Sequence, residues 1–131
     1  TLQSEGWITA EGVLAPEHDA AKKHWGGDWR MPTKQEFDDL ISKCDWTRTT
    51  MNGVKGYVVC GKGDYASASI FLPCAGLGNG TSLNRAGSYG YYWSSSYYSA
   101  TDAYNLYFSS SNVTPANSLD RRYGLTARAV Q

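Results

Sequence analysis

Residues 88–98 read Ser88-Tyr89-Gly90-Tyr91-Tyr92-Trp93-Ser94-Ser95-Ser96-Tyr97-Tyr98, and this run sets the character of the C-terminal part of the chain. Eight of the 10 tyrosines lie between Tyr89 and Tyr123. Tyr offers a large contact surface with few torsions to restrict, while Ser, Asn and Gly add adaptable hydrogen bonding, as in antibody paratopes. The composition therefore predicts a recognition surface in this part of the chain.

The distribution of charge divides the chain in the same place. The 131 residues carry 12 Lys and Arg against 12 Asp and Glu, so no net field attracts nucleic acid or an anionic membrane. The last Lys is Lys62, and the only acidic residues beyond Asp64 are Asp102 and Asp120. A surface of hydroxyls and amides is desolvated at less cost than one of Lys and Glu. We expect one domain, residues 1–131, with a scaffold at 1–87 and a contact region at 88–131, and no nucleic-acid partner.

Neither membrane insertion nor a fixed redox compartment is indicated. No stretch approaches the roughly 18 to 20 apolar residues of a membrane span, and residues 1–5 lack the basic start and apolar core of a signal peptide. Cys44, Cys60 and Cys74 allow one disulfide with a spare thiol, or three reduced thiols that act as small hydrophobes. The second alternative is favoured.

Two helices and several strands follow from the local patterns. Residues 15–25 predict a helix with Pro16 in its first turn and Trp25 docked on the core. Thr33 and Glu36 form a capping-box pattern that predicts a second helix over 33–44. Strands are predicted at 56–60, 69–73, 91–94, 104–108 and 124–130, with Leu106 and Phe108 facing the core and Asn105 and Tyr107 facing solvent. Loops are predicted at 75–90, 97–102 and 111–122.

No arrangement of residues predicts catalysis, a metal or a cofactor. His18 and His24 are six residues apart, which does not bring two imidazoles onto one helix face. Ser94, Ser95 and Ser96 have no neighbouring His to act as a base. Residues 112–117 offer too few oxygen ligands for calcium, the nearest carboxylate being Asp120. We therefore expect a non-enzymatic, calcium-independent protein.

Several ordered motifs carry a family resemblance. They are Trp25–Thr33, then Glu36 and Leu40, Ser69–Pro73, Gly90–Ser95, Arg121 and Gly124–Val130. In this order they resemble the Fibrobacter succinogenes major paralogous domain over nearly the whole chain. The resemblance implies an α+β fold of C-type lectin type, with two helices packed on short antiparallel strands and long loops. It also implies a variable protein of a diversity-generating retroelement, from a gut bacterium or a phage.

In such proteins a reverse-transcribed copy that is mutated at adenines replaces codons near the C-terminus. The resemblance implies that the framework stays fixed while residues 97–102, 107, 109, 114, 116–120, 122 and 123 vary. The implied framework is Trp93, Ser94, Ser95, Ala103, Leu106, Phe108, Val113, Arg121, Gly124 and Arg128. The ending Thr126-Ala127-Arg128-Ala129-Val130 departs from the more usual Ser-Val-Arg-Pro-Val of that family.

The predicted function is binding of a variable protein or other cell-surface ligand, outside the cell on a bacterial surface or a phage particle. Tyr and Arg are the expected anchors. The predicted contact residues are Tyr97, Tyr98, Ser99, Thr101, Asp102, Tyr104, Tyr107, Ser109, Asn117, Ser118, Asp120, Arg122 and Tyr123. Two alternatives stay open: a non-variable adhesin or structural module of a bacterial surface protein, and a carbohydrate-binding lectin module. The oligomeric state is open as well.

Overall fold

A computed structural model describes residues 1–131 as two α-helices and eight strands. The elements are α1 (Ala20–Trp25), α2 (Lys34–Lys43), β1 (Asp45–Met51), β2 (Val54–Cys60), β3 (Ser69–Pro73), β4 (Leu77–Asn79), β5 (Ser82–Asn84), β6 (Gly90–Tyr97), β7 (Asp102–Phe108) and β8 (Val113–Asp120). The strands form three antiparallel sheets, ordered β1-β2-β3, β4-β5 and β6-β7-β8.

The expected α+β fold of C-type lectin type is wrong. Strand accounts for 42% of the residues and helix for 17%, so the protein has a mainly β fold of three sheets with two helices. The excess of strand comes largely from segments without a strong local signal, namely β1, the β4–β5 hairpin and β8. Pairing with neighbouring strands decides their conformation, because side-chain packing and burial outweigh local strand propensity.

The first helix is shorter than predicted, because α1 begins only after Asp19, which caps it. A 3₁₀ turn covers Pro16–His18, and α1 begins only after Asp19, whose carboxylate accepts the amides of Ala21 (2.9 Å) and Lys22 (3.1 Å). The same carboxylate accepts the Met31 amide at 2.9 Å and so joins α1 to the segment before α2. The expected docking of Trp25 on the core is wrong, since this side chain is 60% exposed.

The predicted second helix is confirmed, and it begins with the predicted capping box. The Thr33 hydroxyl accepts the Glu36 amide at 3.2 Å, and the Glu36 carboxylate accepts the Thr33 amide at 3.1 Å. Arg30 donates to the same carboxylate at 2.5 and 3.0 Å. These donors stabilise the charged form and lower the pKa of Glu36 below its ordinary value, the hydrogen bond from Arg30 being the largest cause. Phe37, one turn further along, is buried.

The β1–β2 hairpin turns on Asn52-Gly53. Both residues have positive φ, 51° and 81°, which a two-residue hairpin turn of type I′ requires. Strands β2 and β3 match the predicted strands closely, while β1 is an additional edge strand. Between β3 and β6, where a loop is predicted, residues 77–79 and 82–84 pair as β4 and β5.

The last third of the chain differs most from the sequence prediction. Residues 113–120, predicted as loop, form β8 along the whole of β7, with a register shift opposite residues 105–107. That shift accommodates Pro115, which has no N–H to donate to a ladder. Residues 124–130, predicted as a strand, make only isolated bridges through Gly124, Thr126 and Val130.

The core lies between the β1-β2-β3 sheet, α2 and one face of the β6-β7-β8 sheet. Phe108 is completely buried, and its ring lies 5.2 Å from that of Tyr57 and 5.8 Å from that of Tyr92. Leu106 and Phe108 face the core as predicted. The prediction that Asn105 faces solvent is wrong, because this residue is fully buried and its Oδ1 accepts the Asn117 side-chain amide at 3.0 Å.

All three cysteines are free. Cys44 and Cys60 are partly buried, whereas Cys74 belongs to the core. Burial raises the pKa of the Cys74 thiol, and it also raises that of the neighbouring Tyr92 phenol.

A bulge in β6 ties the N-terminal segment to the last sheet. Trp93 pairs with Asn105, but the next pair is Tyr97 with Ala103, so Ser94–Ser96 leave the ladder with β7. Their backbone groups turn to other partners: the Ser95 carbonyl accepts the Leu14 amide at 2.9 Å, and the Ser95 amide donates to Pro32 at 2.8 Å. The Tyr97 amide donates to the Gly12 carbonyl at 2.8 Å. The bulge thus fixes the end of β6 from which the 98–101 turn departs.

Candidate binding surface

The turn between β6 and β7 is held by hydrogen bonds within the turn. The Ser99 hydroxyl accepts the amides of Thr101 (3.3 Å) and Asp102 (3.0 Å), and the Ser99 amide donates to the Asp102 carbonyl at 3.2 Å. This is the local side-chain-to-backbone bonding that Ser favours in turns. The predicted contact residue Ser99 therefore shapes the turn.

Arg121, just beyond β8, anchors the same turn from outside. Its Nη2 donates to the carbonyls of Ser99 (2.8 Å) and Asp102 (2.9 Å), and its amide donates to the Thr101 carbonyl at 3.0 Å. The guanidinium carbon lies 5.9 Å from the centre of the Tyr97 ring. The turn is thus ordered before any partner arrives.

Beside the turn, the exposed Tyr98 and the half-buried Tyr104 make an aromatic pair. Their rings meet edge to face with centres 5.0 Å apart, and Tyr98 is 49% exposed. Lys34 at the start of α2 places its ammonium 5.6 Å from the centre of the Tyr104 ring and also pairs with Asp38 at 3.1 Å. Sequence reasoning missed Lys34, because nothing local relates it to a tyrosine 70 residues away.

The register of β7 and β8 extends this patch. Tyr104 lies directly opposite Ser118, and Asp102 lies opposite Asp120. Because directly paired residues share a face, these side chains continue the patch begun by Tyr98. We call the set Tyr98, Thr101, Asp102, Tyr104, Ser118 and Asp120 the loop-end surface.

Arg122 and Tyr123 border the loop-end surface beyond Asp120. The Arg122 amide donates to the Asp120 carboxylate at 2.9 Å, and its guanidinium donates to the Tyr123 hydroxyl at 3.2 Å. That hydrogen bond is the largest cause of the raised pKa of Arg122. Both predicted contact residues thus lie at the rim.

Tyr107 lies on the opposite face of the sheet. It is three residues from Tyr104, so alternation turns the two side chains apart. Its ring lies 5.2 Å from that of Tyr91 and 5.8 Å from that of Tyr89, and Arg85 donates to the Tyr91 hydroxyl at 2.7 Å. The hydrogen bond to Tyr91 raises the pKa of Arg85. Tyr107 therefore belongs to a separate aromatic cluster, which the sequence did not reveal.

The remaining predicted contact residues lie away from the loop-end surface. Tyr97 pairs with Ala103 and faces the same side of the sheet as Tyr107. Asn117 hydrogen-bonds with the buried Asn105, and Ser109 is 9% exposed with its carbonyl accepting the Tyr57 hydroxyl at 2.7 Å. The predicted set is therefore divided between two faces, with the turn at their common edge.

No group of three or more His, Cys, Asp and Glu side chains is placed to hold a metal ion. Neither helix has the length and apolar character that crossing a membrane requires.

Comparison with known proteins found one matching protein family. Residues 32–130 match a family model whose description is Domain of unknown function (DUF8237). The matched segment contains α2 and all eight strands, hence the whole loop-end surface. Neither the curated proteins nor the solved structures contain a match to the chain.

Proposed function

Since the chain belongs to the DUF8237 family, whose description assigns no activity, we propose from the geometry that it is a ligand-binding domain. The loop-end surface makes the contact, and the ligand is a protein or another molecule displayed on a cell surface. The protein works outside the cell, on a bacterial surface or a phage particle.

The observation that carries the proposal is an aromatic pair beside an ordered turn, in which Tyr98 is exposed and Tyr104 is half-buried. Tyr98 and Tyr104 stand beside a backbone that Arg121 holds through the carbonyls of Ser99 and Asp102. A preformed binding loop pays less conformational entropy on association than a mobile one. Tyr side chains are also among the residues that dominate binding energy at interfaces.

Diversification of this surface by a retroelement is part of the proposal. Among the residues that the family resemblance treats as fixed, Ser94, Ser95, Ala103, Leu106 and Phe108 are buried. Among those treated as variable, Tyr97 and Tyr98 are exposed, as is Thr101. Replacement at the exposed positions would change the contact surface with little change in packing. Ser109 does not follow this division, because it is buried, and neither do Arg121, Gly124 and Arg128, which are treated as fixed yet are exposed.

Binding is proposed to be independent of calcium. The carboxylates of the loop-end surface are those of Asp102 and Asp120, and the first accepts the Thr101 hydroxyl while the second accepts the Arg122 amide. A calcium site takes six to eight oxygen ligands in general. Binding that a chelator abolishes would contradict this part of the proposal.

The test compares two double variants on opposite faces of one sheet. Fluorescently labelled protein is titrated onto intact gut bacteria, with Tyr98→Ala/Tyr104→Ala as the test and Tyr89→Ala/Tyr107→Ala as the matched control. Loss of one interface tyrosine commonly costs more than 1 kcal/mol, so the test variant should bind at least about tenfold more weakly. The control should bind within about twofold of the unaltered protein.

Circular dichroism of each variant establishes that its fold persists. Unchanged binding by the folded Tyr98→Ala/Tyr104→Ala variant would overturn the proposal. Loss of binding only in the Tyr89→Ala/Tyr107→Ala variant would move the contact to the other face. Binding on a glycan array that a chelator abolishes would favour a lectin module.

The coding DNA tests diversification separately. We expect a near-copy of the 3′ end of the gene beside a reverse transcriptase gene, differing at positions where the copy has adenine. The absence of both would favour a non-variable adhesin or structural module, even if the loop-end surface binds a ligand.

A further inference from the structure

Two adjoining cavities lie behind the turn, on the Tyr97 side of the last sheet. Their volumes are about 240 Å³ and 300 Å³, and both are lined by Ile8, Leu14, His18 and Arg121. At ~30 Å³ per water molecule, the first has room for about eight waters. A space of this size suits a small organic molecule.

The N-terminal segment and the β6 bulge build the walls. Trp7 lines the outer cavity, with its ring stacked 3.9 Å from that of His18. Met31, Trp93 and Ala103 line the inner cavity. The walls are therefore mainly apolar and aromatic, as is usual for small-molecule sites.

Arg121 and two serine hydroxyls offer hydrogen-bond donors to these cavities. The recorded side-chain hydrogen bonds of Arg121 use Nη2, which leaves its Nε–H and Nη1–H groups without a protein acceptor. The hydroxyl oxygens of Ser94 and Ser96 accept the amides of Ser96 (3.0 Å) and Lys34 (2.9 Å), so their O–H groups remain available. Among the residues that line either cavity there is no Asp or Glu.

From this chemistry we propose that the two cavities form one site for a small organic carboxylate with an aromatic or branched apolar body. The carboxylate accepts hydrogen bonds from Arg121, since a guanidinium matches carboxylate geometry. The apolar body lies among Ile8, Leu14 and the aromatic walls. This site is distinct from the loop-end surface and would bind its ligand without a protein partner.

The two methionines make a direct measurement possible. Met31 lines the inner cavity, whereas Met51 ends the exposed edge strand β1 and serves as an internal control. Protein labelled with ¹³C at the Met methyl groups is titrated with phenylacetate and, separately, with the neutral phenylacetamide. We expect a saturable shift of the Met31 resonance by phenylacetate, with a Kd of about 1 mM or tighter and no shift of Met51.

The neutral analogue tests the charge. Because a hydrogen bond to a charged acceptor is stronger than one to a neutral acceptor, phenylacetamide should bind at least about tenfold more weakly. Equal binding of the two compounds would overturn the assignment of a carboxylate site. The absence of any saturable Met31 shift, or equal shifts at Met31 and Met51, would overturn the site itself.

Two pairs of variants locate the ligand. Arg121→Gln should weaken phenylacetate binding at least about tenfold, whereas the matched Arg122→Gln, at a residue outside both cavities, should leave it within twofold. Because Arg121 also anchors the turn, Ala20→Leu provides a second test: Ala20 is exposed and lines the inner cavity, so a larger side chain there obstructs it. Ala116→Leu on the exposed part of β8 is its control. Phenylacetate binding that survives both Arg121→Gln and Ala20→Leu would contradict the proposal.

Discussion

The two ends of the β6-β7-β8 sheet use tyrosine in opposite ways. At the end where β6 begins, Tyr92 is 1% exposed and stacks against Phe108. At the end where β6 finishes, Tyr98 is 49% exposed and touches Tyr104. Both ends carry tyrosines, but the β1-β2-β3 sheet covers those at the first end, while the side chain of Tyr98 at the second end faces solvent.

The difference shows that a tyrosine can pack in the core when its hydroxyl has a hydrogen-bond acceptor inside the protein. The Tyr92 hydroxyl donates to the Pro73 carbonyl at 2.7 Å, so its polar end is satisfied inside the protein. The hydroxyls of Tyr98 and Tyr104, unlike that of Tyr92, make no hydrogen bond within the protein. We call the first region the packed end and keep the loop-end surface for the second.

The largest contrast should come from removing one ring at each end. Phe108→Ala deletes a fully buried ring that contacts those of Tyr57, Tyr92 and Trp46, and should lower the free energy of unfolding by about 3–5 kcal/mol. Tyr98→Ala at the other end should change it by less than about 0.5 kcal/mol. Urea denaturation of both variants measures the contrast, and similar losses would mean that the two ends do not differ in packing.

A smaller but more specific effect is expected at Gly90. The tip of the Phe108 ring, its Cζ and both Cε atoms, lies so close to Gly90 that an added Cβ would overlap it. Gly90→Ala should therefore destabilise the protein by about 1–3 kcal/mol through overpacking. In a double-mutant cycle with Phe108→Leu, which removes the ring, the two losses should fall short of their sum. Strict additivity would show that the ring is not the obstacle.

Loss of one hydroxyl should be milder still. Tyr92→Phe keeps the ring but leaves the Pro73 carbonyl without this donor, and should cost about 1 kcal/mol by urea denaturation. Tyr104→Phe at the loop-end surface is the matched control and should cost nothing measurable. A cost at Tyr104 equal to that at Tyr92 would remove the distinction between satisfied and available phenols.

Acid should destabilise the start of α2, beside the loop-end surface, before it destabilises the packed end. The hydrogen bonds from Arg30 and Thr33 lower the pKa of Glu36 below 4.5, so the stabilisation that they give is complete above pH 4.5 and is lost as the pH falls through the lowered value. The effect should be smaller than that of Tyr92→Phe, because the Arg30–Glu36 pair is partly exposed and screened.

Amide hydrogen exchange can locate this loss. Between pH 5 and 3, after correction for the intrinsic pH dependence of exchange, the amide of Lys34, which donates to Ser96, should lose protection before that of Leu106. Glu36→Gln should remove the pH dependence at Lys34. Equal loss at both amides would show that acid acts on the whole protein.

The smallest effect is expected at the paired carboxylates of the loop-end surface. Asp102 and Asp120 lie directly opposite each other on β7 and β8, an arrangement in which like charges repel. Asp102→Asn keeps an oxygen for the Thr101 hydroxyl and leaves the contact of Asp120 with Arg122 in place, so it should raise the free energy of unfolding by about 0.3–0.5 kcal/mol at low salt. Thermal denaturation should show the gain shrinking in 1 M salt, and a gain independent of salt would argue against repulsion.

Local signals predicted the elements whose stability is local. The capping box of Thr33 and Glu36 located α2, and the apolar run of 69–73 located β3. Strand β8 could not be predicted, because Thr114-Pro115-Ala116-Asn117 has weak strand propensity and becomes extended only by pairing with β7. The reverse holds for 124–130, a good strand sequence that finds only isolated bridges.

For the candidate site, the sequence predicted the exposure of some single side chains but not which residues lie together. Tyr98 and Thr101 are exposed as expected, and the three-residue spacing of Tyr104 and Tyr107 already implies opposite faces of a strand. The roles of Arg121 and Lys34 depend on the course of the whole chain, since each contacts residues far away in sequence. No local pattern carries that information.

The β6 bulge also bears on how the protein avoids sticking to itself. Where Ser94–Ser96 leave β7, the Ser95 carbonyl accepts from Leu14, the Ser95 amide donates to Pro32 and the Tyr97 amide donates to Gly12, so the N-terminal segment covers a break in the last sheet. A chain shortened to begin at residue 16 would keep the matched family segment and the loop-end surface, yet would expose unpaired strand backbone beside the bulge. Such an edge is a template for pairing with other molecules, so the shortened protein should self-associate more readily than the full chain.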